Sequence, residues 1–127
     1  MLENLLGPAH AAAGVALDGL ALQQRVIANN IANANTPGFA AQRMEFESAL
    51  RAAQNAGDAD AVRSQLGAVD ASINAGDYIR RAAVPGVQLD LEMAQLNMTA
   101  IKYQALVQGL IQSNGLLSMA ITGDGER

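Results

Sequence analysis

The sequence predicts a mainly α-helical chain: long N- and C-terminal helices paired as a coiled coil, with a short middle helix and an irregular or small β-like middle section. Two observations carry this. Apolar residues near both ends recur in alternating steps of four and three, the spacing that places them on one helix face. Half of the 127 residues are apolar, yet only two are Phe, two are Tyr and none is Trp. Large rings normally dominate a thick core, so this finer-grained surface suits close helix–helix contact. The chain accordingly divides into residues 1–38 (N-terminal helix and turn), 39–86 (middle section) and 87–127 (C-terminal helix), one assembly domain overall.

Residues 1–8 read as a lead-in closed by Gly7-Pro8, with Pro8 suited to a first helical turn, where its missing N–H costs little. From Ala9 to about Ala34 the stripe is Ala13, Leu17, Leu20, Gln24, Ile27, Ile31 and Ala34, with Gln24 its one polar member. Val15, Leu22 and Val26 lie off it, so more than one face is open to being covered. Asn29, Asn30, Asn33 and Asn35 then crowd the end of the helix, where their amides compete for backbone groups. Pro37 drives Thr36 out of the α region, and Gly38 tolerates positive φ, giving a fixed turn before Phe39.

A short helix follows from Met44, ending near Gly57, with Phe46, Leu50 and Ala53 on one face. From Gly57 to Gly86 the residues leave helical turn and loop both open, with a short extended piece at Tyr78 to Val84 before Pro85-Gly86. The last element is the clearest. Leu89, Met93, Leu96, Ala100, Tyr103, Val107, Leu110, Asn114, Leu117 and Ile121 form an unbroken alternation in which only Asn114 is polar. Asp90 suits its start through capping and the helix dipole, and Thr122-Gly123 its end. At roughly 50 Å against roughly 38 Å, this helix overhangs the first. Two helices alone cannot bury so much apolar surface, which calls for other subunits. Gly14, Gly19, Gly109 and Gly115 weaken the isolated helices and permit close approach.

Several function classes are disfavoured. Net charge is −4 and the eight basic residues are scattered, whereas a nucleic-acid binder wants a basic face. No cysteine exists for disulfides or thiolate metal sites. The start lacks the basic and apolar regions of a cleavable signal peptide. The uncharged run from Tyr103 to Gly123 carries too many Gln, Asn and Ser to insert into a membrane. His10, the one histidine, has no nucleophile beside it and reads as a surface or packing residue. Asp58 and Asp60 begin a calcium-loop spacing that fails at Val62. Glu45 and Glu47 read as solvated charge, and Arg80-Arg81 is too short to be a polyanion site. No catalytic residue, cofactor or metal is expected.

The string Asn-Ile-Ala-Asn-Ala-Asn-Thr-Pro-Gly-Phe at Asn30 to Phe39, preceded by the small and Gln-rich Ala21 to Arg25, resembles the N-terminal signature of the bacterial flagellar rod and hook protein family. Val87 to Met93, followed by Lys102-Tyr103-Gln104, resembles the C-terminus of its proximal rod members. The resemblance spans about Ala21–Met44 and Val87–Ile121; Ala40-Ala41 departs from the Lys common after the aromatic. It implies a structural subunit of the basal-body rod that self-assembles helically and transmits torque across the periplasm. Export would pass uncleaved through the flagellar type III apparatus. The implied partners are other copies, other rod subunits and the adaptor near the membrane ring. Candidate interface positions are Leu17, Leu20, Gln24, Ile27, Ile31, Leu96, Tyr103, Val107, Leu110 and Leu117; the signature turn is Asn30, Asn33, Asn35, Thr36, Pro37, Gly38 and Phe39. The competing class is a soluble helical adaptor or export chaperone that binds partner helices.

Overall fold

The computed structural model describes residues 2–122, with side-chain surroundings for residues 7–115. In chain order the elements are α1 (Leu2–Ala32), β1 (Gln42–Met44), α2 (Glu47–Gln54), α3 (Ala59–Ala75), β2 (Ile79–Arg81) and α4 (Leu89–Thr122). No helix among the described residues is long and apolar enough to cross a membrane.

α1 is interrupted at Gly7, whose φ of 56° and ψ of −152° lie in a region essentially reserved for glycine. The expected lead-in ends there, and an unbroken helix runs from Pro8. At the far end, Asn33 N–H bonds back to the carbonyls of Asn29 and Asn30, and Ala34 N–H to that of Ile31. The turn that follows is closed by Phe39 N–H donating to Thr36 O at 3.2 Å. Gly38, at φ 78°, takes the third place of a type II turn, with Pro37 in the second.

Where the sequence left turn and loop both open, the chain builds α3. Asp58 caps it by accepting from Ala61 N–H at 2.9 Å, and Gly76 closes it in the left-handed region at φ 80°. Its buried residues Val62, Leu66, Val69 and Ile73 follow the same 4-3-4 rhythm as the longer helices. The extended piece past Tyr78 becomes β2, paired antiparallel with β1 in the register Gln42↔Arg81, Arg43↔Arg80 and Met44↔Ile79.

Apolar packing centres on α1. One side joins Val15, Leu20 and Val26 to Met44 and Phe46, to Ala53 of α2 and to the buried row of α3. α4 covers another side, with Tyr103 and Leu106 reaching the cluster, so the residues that lay off the α1 stripe serve a second buried face. Phe46, 2% exposed, lies over Gly19, where any β-carbon would collide with its ring. Gly19 thus makes its close approach inside the subunit. Gly14, Gly109 and Gly115 have open space at that position.

The buried face of α4 differs at its start from the apolar alternation. Leu89 and Met93 are 44% and 52% exposed, whereas Glu92 and Thr99 are 1% and 7% exposed. The face turned inward there runs Glu92, Leu96, Thr99, Tyr103, meeting the expected alternation only at Leu96 and Tyr103. The cause is a polar attachment that apolar spacing does not register.

Candidate assembly site

That attachment is made by Asn30, in the last turn of α1. Its side chain is fully buried, at 0% exposure. The Asn30 Oδ1 accepts from Gln42 N–H at 2.9 Å. Its Nδ2 donates to Gln42 O at 2.8 Å and to Glu92 Oε1 at 2.9 Å. One amide therefore pairs with both backbone groups of Gln42, as a neighbouring strand would, and also holds the carboxylate of α4. A carboxylate buried this deeply is tolerable only with such partners. Arg43 completes the joint: Nη1 donates to Gln95 Oε1 at 2.6 Å, and Nη2 stands 4.0 Å from Glu92 Oε2.

Two turns back along α1, Gln23 Nε2 donates to Met44 O and to Glu47 Oε2, both at 2.8 Å. The edge of β1 that faces away from β2 is thus bonded by α1 side chains at Gln42 and Met44. Glu47, read from sequence as solvated charge, is one of those partners, and its Oε1 also accepts from Phe46 N–H at 3.2 Å.

The other asparagines act on the helix end. Asn33 Nδ2 donates to Asn29 O at 2.9 Å and to Asn29 Oδ1 at 3.2 Å. Thr36 Oγ1 donates to Asn33 Oδ1 at 3.1 Å. Asn35, Thr36, Pro37 and Gly38 are exposed, and Phe39 is half-buried. The arrangement acts mechanically, fixing the angle at which the chain leaves α1 and the register of α4 against it. Asn30 and Glu92 lie 62 residues apart in sequence, so the joint also closes the whole chain upon itself.

Among the candidate interface positions, Leu20 and Ile27 are buried within the subunit. Leu17, Gln24, Ile31, Leu96, Tyr103, Val107 and Leu110 are half-buried, keeping part of their surface open. The Leu117 side chain lies outside the described residues. Asn114 is exposed. Large apolar residues that spacing did not single out are also exposed on α4: Leu91, Met98, Ile101 and Ile111. Sequence reasoning missed Glu92, Arg43, Gln95, Gln42 and Gln23 as partners, since their types and positions suggest solvent. Among the residues set aside, His10 is half-buried in α1. Asp60 stands 3.9 Å from Arg63 on α3. Arg80 Nη1 donates to the carbonyls of Asp77 and Ile79.

The segment that holds Gln23, Asn30 and the turn is also where the chain meets known proteins. Residues 12–39 match the family described as flagella basal body rod protein. The chain is 31% identical over 116 residues to the flagellar basal body rod protein FlgB of Bacillus subtilis (strain 168), covering 85% of this chain and 88% of that one. A match of this identity across most of both chains, carried through the turn and the joint, decides the assignment: the chain belongs to the flagellar basal-body rod protein family.

Proposed function

We propose that this rod protein is a structural subunit of the proximal part of the rod, in which copies pack helix against helix and pass torque across the periplasm. The observation that carries the reading is the surface of α4. From Met93 to Thr122 its only charged residue is Lys102, yet Met98, Ile101 and Ile111 are 59%, 65% and 59% exposed. A helix this poor in charge, with large apolar side chains in water, is suited to being covered. The half-buried Leu17, Gln24, Ile31, Leu96, Tyr103, Val107 and Leu110 border the surface offered to neighbours. Toward the overhanging end, Gly109 and Gly115 let another helix approach closely. The Thr36–Phe39 turn aims the middle section outward onto an adjacent subunit, and the chain acts as one assembly domain.

In this reading the neighbours are further copies, other rod subunits and the adaptor near the membrane ring. The chain reaches them through the flagellar type III apparatus without cleavage. The test is complementation of a strain lacking the protein with Ile101→Asp and, separately, Ile111→Asp. Both chains should be exported and fold with near-normal stability, while basal-body yield and motility are lost. Normal yield from both would refute an α4 surface buried in the rod.

A further inference from the structure

We infer that Asn114 and Gly115 of α4 form a self-modification site, at which the free chain slowly converts Asn114 to aspartate and isoaspartate. The reaction needs only water and does not depend on the rod reading. Asn114 is the one asparagine in the sequence followed directly by glycine. Each of the others precedes a residue whose side chain hinders the next backbone nitrogen from reaching the amide. Asn30 is further fixed by three hydrogen bonds inside the joint, and Asn33 is tied to Asn29. Asn114 is exposed, and no neighbouring group lies within 4 Å of where a Gly115 β-carbon would stand.

The Gly115 backbone nitrogen attacks Cγ of Asn114. A new N–Cγ bond forms, the bond from Cγ to the side-chain nitrogen breaks, and ammonia leaves with the proton that Gly115 N gave up. The product is a cyclic imide. Water then adds to one of its two carbonyls. Attack at Cγ restores the ordinary backbone and leaves aspartate; attack at the main-chain carbonyl leaves isoaspartate. The net change is amide plus water to carboxylic acid plus ammonia, with nothing oxidised or reduced.

In an intact helix the Gly115 nitrogen is bonded to the preceding turn, so ring closure waits on local opening. This end of α4 opens readily. From Ile111 to Gly115 every residue is exposed, so little packing holds the turn shut. Gly109 and Gly115 weaken the helix relative to alanine, and Ser113 and Asn114 compete for its backbone groups. A helix without tertiary packing is marginal in water, so the segment opens and recloses while the Asn30 joint stays shut. The products are felt there. From Met93 to Thr122 Lys102 is the only charged residue, and the new carboxylate adds a second. Isoaspartate also routes the backbone through an extra carbon, which the helical repeat cannot absorb.

The test is to incubate the purified full chain at neutral pH and follow its tryptic peptides by mass spectrometry. The peptide from Tyr103 to the C-terminus holds one asparagine, Asn114. Deamidation there should outpace that at every other asparagine by about tenfold or more, with both acid products formed. Gly115→Ala adds a hindering methyl and firms the helix, and should slow the reaction by about tenfold or more. Gly109→Ala combined with Ser113→Ala leaves the reacting pair intact and should slow it by about fivefold through the helix alone. The site is overturned if Asn114 stays intact as long as the other asparagines, or if either variant reacts as fast as the parent.

Discussion

The two ends of the α1–α4 pair are built on opposite terms. At the joint, α4 is gripped by directed bonds: Asn30 to Glu92 and to Gln42, Arg43 to Gln95. Towards the other end, Tyr103 and Leu106 reach the apolar cluster, Val107 and Leu110 are half-buried, and from Ile111 to Gly115 every residue is exposed. Hydrophobic contact is non-directional and tolerates sliding, whereas buried hydrogen bonds have one geometry and are costly to leave unmade. The pair is thus registered at one end and left adaptable at the other.

Five substitutions can break or sharpen that contrast. The largest effect is expected at the joint. Asn30→Ala removes the partner of both Gln42 backbone groups and of buried Glu92, and each orphaned group costs about 1–3 kcal/mol. We expect a loss of roughly 4 kcal/mol in urea unfolding, and a change under about 1 kcal/mol would mean that the joint does not set register. Next is Gly19→Ala, which gains helix propensity of about 1 kcal/mol but drives a methyl into the enclosed Phe46 ring. Overpacking of about 1–3 kcal/mol or more should prevail, giving a net loss of about 2 kcal/mol in thermal unfolding; a stabilised variant would show that the ring can move aside.

Smaller effects belong to the turn. Gly38→Val places a β-branched residue at φ 78° and should cost about 1–3 kcal/mol, whereas Pro37→Ala mainly frees the unfolded chain, by about 1 kcal/mol or less. Complementation should follow that order, and the reverse order in basal-body yield would contradict the turn geometry. Smallest for the isolated chain is Ile111→Asp at the adaptable end, expected within about 0.5 kcal/mol of the parent. If it unfolds the monomer by several times that amount, the far end is not open and the contrast fails.

The parts that were legible and those that were not follow the same division. The terminal helices were readable because their buried residues are mostly apolar and regularly spaced, and the turn because Pro37-Gly38 restricts the backbone so strongly. The start of α4 was misaligned because Glu92 and Thr99 face inward on a polar attachment, while Leu89 and Met93, which continued the apolar alternation, face solvent. α3 was a different case. Asp58, Gly76 and the Val62-Leu66-Val69-Ile73 spacing all signal a capped helix, but the intervening Ser, Asp, Asn and Gly residues diluted them. Glu92 carried no signal of its own, since a partner 62 positions away is not visible in local spacing.

The small sheet carries one further consequence. A strand edge with free N–H and C=O groups invites any extended segment to add to it, which is the route to amyloid-like stacking. In β1 that edge is occupied by the amides of Asn30 and Gln23. Along β2, Arg80 bonds the carbonyl of Ile79 in its own strand, and Arg80 and Arg81 are both exposed and positively charged. The chain has therefore closed one strand edge and guarded the second. Uncontrolled growth through strands is blocked on one side and discouraged on the other.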